Sequence, residues 1–380
     1  MVELFFDLVF VFAVTQLSHG LLADLTATGA LQTLVLFLAL WWLWIYTSWV
    51  ANWLDPERMP VRIMLFALML GSLTLSSSLP HAFADKGLVF GCVFAAMQVG
   101  RTLFTMLAMR GHRPGNYRNF QRVACWLSLS GVFWIAGGVA AGDMRLALWI
   151  VAVAIEYVGP SVYFWVPGLG VSTTADWDID GEHLAERCAL FVIIALGESI
   201  LVTGATFSEL AWDRVHIGGF VVAFLGSAAM WWIYFDTGAV RARRRIVGST
   251  DPGRQGRSVY TYIHLVIVAG IIVCAVADEI VLTHPEHADT PGVVAILFGP
   301  ALYLVGNAVF KWVTNDRRGP PLSHLAGLAL LLVLVPLGFA HTLTALALGA
   351  ATTAVLIIVA SWESMALRKP LPGEPARASR

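Results

Sequence analysis

The 380-residue sequence predicts an all-α fold: a polytopic integral membrane helical bundle of about 12 transmembrane helices, arranged as two parallel six-helix repeats. Three observations predict it. Hydrophobic residues make up 58% of the chain and charged residues only 13%, with a mean hydropathy of +0.74; soluble domains run nearer half apolar and a quarter charged. Apolar runs of about 20 residues, the length that crosses a bilayer core as a helix, recur along the chain between polar or turn-forming residues. Motifs of the first half also return in the second half in the same order.

In chain order the spans are expected at 2–22, 30–53, 62–83, 87–109, 119–141, 145–166, 184–206, 215–238, 259–282, 291–313, 322–340 and 343–366. The first lacks a basic segment and carries Glu3 and Asp7 instead, which argues against a cleaved signal peptide. It begins almost at residue 2, so a start shortened relative to similar chains is expected. In the sixth span Pro160 follows Glu156 by one turn and marks an expected kink. The loops are short. The longest, 167–183, carries Asp176, Asp178, Asp180 and Glu182 and separates a first repeat, 1–166, from a second, 184–367. Residues 368–380 read as a disordered basic and Pro-rich cytoplasmic tail.

With both termini in the cytoplasm, the basic residues gather on one side. Inside lie Arg58, Arg62, Arg110, Arg113, Arg118, Arg122, Arg241, Arg243, Arg244, Arg245, Arg254, Arg257, Lys311, Arg317, Arg318 and the tail. Outside lie only Lys86, Arg145 and Arg214. That asymmetry follows the positive-inside rule. The run Arg241–Arg245 reads as an orientation signal; the other reading is a site for anionic lipid at the cytoplasmic leaflet. Nucleic-acid binding is excluded, because no domain surrounds so short a basic loop. The tryptophans, most of them near span ends or in the WWLWIYTSW belt, read as interface anchors. Cys92, Cys125, Cys188 and Cys274 fall inside spans without a CxxC pair and read as small buried hydrophobes.

The duplication rests on four matches. WIY at 44–46 returns at 232–234, and VGRTLF at 99–104 corresponds to VGNAVF at 305–310. ELFFDLVFVFAVTQL lines up with ERCALFVIIALGESI, setting Glu3 beside Glu186 and Thr15 beside Glu198. Glu156 in AIEYV lines up with Glu363 in SWESM. Six spans per repeat would bring both halves in from the same side, related by an axis along the membrane normal.

Charges at membrane depth cost about 2.5–3.5 kcal/mol or more, so they face the bundle interior and pair. Glu198 lies well inside the seventh span beside Gly197, which would let a helix or water approach. It reads either as a protonating carboxylate or as a packing partner of Arg101. Asp7 and Glu3 lie nearer the cytoplasmic end, where a first-turn carboxylate also suits the helix N-terminus. Arg101 is the one deep arginine, expected to neutralise Glu198, Asp236 or Glu156. Asp278 and Glu279 read as solvated at the outer end of the ninth span. His183 and Glu186 have the spacing of a metal pair, but no second His or Glu cluster accompanies them, so no metal is expected. No Walker loop, dinucleotide fingerprint or nucleophile elbow appears; neither an enzyme nor a cofactor is expected.

ELFFDLVFVFAVTQLSH and HLAERCALFVIIALGESI, together with the WIY and WWIYFD segments, resemble the bacterial low temperature requirement A family over all but the tail. The resemblance implies a multi-helix inner-membrane protein. It points to Glu3, Phe6, Asp7, Gln16, His183, Glu186, Arg187, Gly197 and Glu198. Its name records growth in the cold and brings no substrate. The reading that combines these signals is a secondary transporter or proton pathway using Glu198, Asp7, Arg101, Glu156 and Asp236, with protons or a small solute as its cargo. The alternative is a non-transporting membrane protein that supports cold or stress adaptation through packing or partners.

Overall fold

The computed structural model describes residues 2–111, 114–173, 179–248, 251–314 and 319–367. Asp176, Asp178, Arg113, Arg317, Arg318 and the tail 368–380 lie outside them. Twelve helices are long and apolar enough to cross a membrane, one for each expected span. In chain order the helices are α1 (Val2–Ala23), α2 (Ala27–Trp53), α3 (Met59–Ser78), α4 (Gly87–Met109), α5 (Pro114–Val139), α6 (Gly142–Ser161) and α7 (Gly181–Glu209). They continue with α8 (Arg214–Ile233), α9 (Ala239–Val247), α10 (Pro252–Gln255), α11 (His264–Thr283), α12 (Thr290–Thr314), α13 (Leu322–Phe339) and α14 (Ala345–Leu367). Two π-helical stretches, Tyr234–Gly238 and Gly256–Ile263, lead into α9 and α11.

Local chemistry sets the ends. Thr26 caps α2, its hydroxyl accepting from the Gly29 N–H at 3.1 Å. Asp213 caps α8 by accepting from the N–H groups of Val215 and His216, both at 3.0 Å. Pro60 sits at the start of α3, where its missing N–H is harmless. Pro160 lies one residue before the end of α6, so it closes that helix rather than kinking it. The chain then turns through left-handed Tyr163 (φ 54°) and Phe164 (φ 49°). That strained corner is tied down from α5, where Arg122 donates to the Leu169 carbonyl at 2.9 and 2.7 Å and Trp126 to the Trp165 carbonyl at 3.1 Å.

The described chain packs as two compact units: Met1–Ala195 with Ile246–Thr261, and Leu196–Arg245 with Tyr262–Arg380. The division falls inside α7, so it follows packing and not the order of the sequence motifs. In the first unit α4 packs on α5, α5 on α6, and α1 on both α2 and α3. The α4–α5 approach is close at Gly91, where a Cβ would collide with the backbone of Trp134. Helix α2 is the most enclosed span, and this corrects the reading of its tryptophans: Trp41, Trp42 and Trp44 are buried core residues, not interfacial anchors. At the opposite end from the Arg122 clamp, Arg145 is buried too. Its guanidinium donates to the carbonyls of Ala82, Ala84, Gly137 and Ala140 at 2.6–3.2 Å, a cation closing helix C-termini.

In the second unit α11 packs on α12, α8 on α14, and α13 on both α12 and α14. Its close approach is at Gly270, where a Cβ would run into the backbone of Tyr303. The apolar side chains left outside, among them Leu70, Leu107, Val139, Leu201 and Leu332, suit a lipid surface. The four cysteines are free; Cys188 and Cys274 are buried as expected, while Cys92 and Cys125 are exposed.

Candidate functional site

Polar side chains at membrane depth form separate clusters within each unit. The first unit holds two. On α1, Asp7 is fully buried one helical turn from Glu3. Arg187 of α7 meets it fork to fork, at 2.7 and 2.8 Å, and the indole N–H of Trp44 donates to it at 2.8 Å. Such bidentate geometry is the strongest pairing a buried carboxylate finds. Phe6, on the same stripe, is buried against Phe10. Nearer the end of α1, the Glu3 carboxylate pairs with His183 Nε2 at 3.1 Å, and His183 Nδ1 lies 3.3 Å from Asn52. Asn52 also bonds the backbone of Asp180, fixing the start of α7.

The second cluster runs across α2, α4, α5 and α6. Arg101 donates to the Leu43 carbonyl at 3.0 Å, to the Thr47 hydroxyl at 2.9 Å and to the side-chain oxygen of Gln98. Gln98 donates in turn to Glu156 at 3.3 Å. Ser130 and Trp134 of α5 complete the carboxylate at 2.5 and 2.9 Å. Arg101 therefore reaches Glu156 through an amide, and it is Arg187 that serves Asp7. Sequence reasoning gave Arg187 only as a residue of the family motif.

The first unit also holds an aromatic cavity, partly open to the outside, that leaves about 40 Å³ for the centre of a water-sized particle. Trp42, Tyr46, Trp53 and Phe120 line it, with Arg257 lying 4.8 Å over the ring of Tyr163 and donating to the Pro160 carbonyl.

In the second unit Lys311 of α12 donates to Glu363 of α14 at 2.5 Å and to the Ile233 carbonyl at 2.6 Å. Lys311, counted among the cytoplasmic-side cations, is fully buried. Asp236 is exposed and accepts from the Ser364 hydroxyl at 2.8 Å. Tyr234 and His264 bond at 2.8 Å beneath it in the core. Glu198 is buried, as expected. At Gly197 a Cβ would meet nothing within 4 Å, so of the two approaches expected there, helix or water, no helix packs closely against it. Asp278 is half-buried, not solvated, and receives the Ser199 hydroxyl at 3.5 Å. Gln16 is half-buried and Glu186 exposed, and no group of three or more His, Cys, Asp or Glu among the described residues could hold a metal. Of the basic run, Arg243 is exposed and Arg245 half-buried; the side chains of Arg241 and Arg244 lie outside the described residues.

The family model described as Bacterial low temperature requirement A protein (LtrA) matches residues 1–361. An uncharacterized protein of Rhizobium meliloti (strain 1021) is 44% identical over 371 residues, covering 96% of this chain and 89% of that relative. No solved structure matches the chain.

Proposed function

The chain belongs to the bacterial low temperature requirement A family, and on that premise we propose that it is a secondary transporter or proton-conducting pathway. It works in the bacterial inner membrane with both termini cytoplasmic, and it is not an enzyme. One observation carries this reading: each unit keeps a basic residue on the fourth span of its half bonded toward a glutamate on the sixth, Arg101 to Glu156 through Gln98 and Lys311 to Glu363 directly. Ionisable groups at that depth are costly and typically line ion or substrate paths. Lys311 sits one helical turn beyond Asn307, the counterpart of Arg101 in the motif match, so the couple recurs with its cation moved along the helix. That recurrence supports a duplicated chain, two six-helix repeats with the loop 167–183 between them, the layout common among secondary transporters. Glu198 is the protonating carboxylate, and Asp7 and Arg101 are the charges that tune the path. Anionic lipid at Arg241–Arg245 holds the cytoplasmic face.

The test is proton flux in proteoliposomes driven by a potassium diffusion potential and read with a trapped pH dye. Flux above that of empty vesicles, lost in Glu198→Gln, is the expected result; flux equal to empty vesicles sinks the reading.

A second reading has its own observation. Asp7 is so completely bonded to Arg187 and Trp44 that it can serve as a fixed strut. In that case the protein supports the cold or stress response through packing or partners. The double replacement Asp7→Leu with Arg187→Met would then keep growth in the cold intact.

A further inference from the structure

From the second unit we infer a binding site for one sodium ion centred on Asp278. Asp278 projects from α11 beside a small cavity also lined by Thr352 and Thr353 of α14 and by Ile296 and Pro300 of α12. Among the described residues no cation pairs with this carboxylate. Its one hydrogen bond is the long one from Ser199, whose hydroxyl lies 3.3 Å from that of Ser227 on α8. Every other buried or half-buried carboxylate whose contacts are given above has a cation, an indole or an amide against it. Asp278 has one hydroxyl.

The surroundings supply further oxygens. Proline at 300 has no N–H, so the Ile296 carbonyl lacks its helical donor. Thr352 spends its proton on the Gly349 carbonyl at 3.0 Å and keeps lone pairs for a cation. Gly226 of α8 lets the Thr353 hydroxyl come close, since a Cβ there would stand 3.2 Å from it. Carboxylate, hydroxyl and carbonyl oxygens are hard ligands, suited to alkali and alkaline-earth cations and not to soft metals.

Charge and size choose among those. One carboxylate neutralises one positive charge; a divalent ion would leave a charge uncompensated in an apolar bundle. The cavity leaves about 20 Å³ for the centre of a water-sized particle. A single water needs roughly 10–15 Å³ by that measure, so the space fits one small particle and excludes a hydrated ion or an organic solute. Sodium without its water shell fits, held by the side chains that replace that shell.

Binding needs no flux, so this site stands or falls apart from the transport reading. The test follows the thermal unfolding midpoint of the detergent-purified full chain by tryptophan fluorescence. NaCl is titrated against choline chloride at constant ionic strength, with KCl as a second arm. The expected result is a saturable rise with sodium, absent with choline and smaller with potassium. Thr353→Val should raise the half-saturating sodium concentration about tenfold, and Asp278→Asn should abolish the response. If Asp278→Asn does not fold, Thr353→Val and Ser199→Ala carry the test by themselves. Equal midpoints in sodium and choline would leave the cavity holding only water and overturn the site. An equal rise with potassium, or a sodium response unchanged in Thr353→Val, would overturn it as well.

Discussion

The two units solve the same problem differently. In the first, the deep carboxylates are closed off: Asp7 takes both prongs of Arg187 and an indole, and Glu156 takes a serine, an indole and the amide that Arg101 orients. In the second, one carboxylate is closed by a lysine while another, Asp278, has one hydroxyl and lines a cavity. The difference teaches where a bound ion has room to come and go. A fully bonded carboxylate holds helices together, whereas one with open oxygens has capacity left for a ligand.

The largest effect that would break this comparison is at Arg187. Arg187→Met leaves Asp7 charged and unpaired in the core, at an expected cost of about 3–5 kcal/mol. Unfolding by denaturant in detergent measures it, and Asp7→Leu on top of Arg187→Met should recover most of the loss. A single variant as stable as the parent would remove the reading of Asp7 and Arg187 as a strut. Next come the two cations of the fourth spans. Lys311→Met strips Glu363 of its cation and should cost more than Arg101→Met, which loses hydrogen bonds worth about 1.5–3 kcal/mol but leaves Glu156 with three neutral donors. The reverse order would mean that the amide relay through Gln98 matters less than the charge itself.

Smaller effects sharpen the helix contacts. Gly91→Ala and Gly270→Ala push a methyl into facing backbone and should each cost about 1–3 kcal/mol by the same unfolding measurement. Gly197→Ala enters open space and should stay within about 0.5 kcal/mol. A large loss at Gly197 would restore the close approach that its place beside Glu198 suggested.

Much of the fold was legible because membrane spans are announced locally. An apolar run of sufficient length is a helix whatever lies elsewhere, and α4 begins and ends where hydropathy put it, at 87 and 109. The candidate site was only half legible. Glu198, Asp7, Arg101 and Glu156 stood out because charge at depth is rare, and all four are buried. Their partners did not stand out. Trp44 looked like an interfacial anchor, Lys311 like a cytoplasmic-side cation and Asp278 like a solvated acid. Lys311 and Asp278 lie near apparent span ends, where hydropathy cannot separate a side chain that reaches water from one that turns inward. Gln98 gave no signal at all, being neutral and unremarkable among apolar neighbours.

By itself the sequence determined the class, the number of spans, the rarity of deep charge and the family, since each is a property of composition or of a contiguous motif. Only the tertiary structure decided which charges meet. Asp7 and Arg187 are 180 positions apart, and Lys311 and Glu363 are 52 apart. Such pairing depends on which helices pack and on which face each presents, and no local period of the chain encodes that. The same holds for Asp278. It lines a cavity because Pro300, Gly226 and the two threonines come together with it from three other helices, an arrangement that exists only once the bundle has closed.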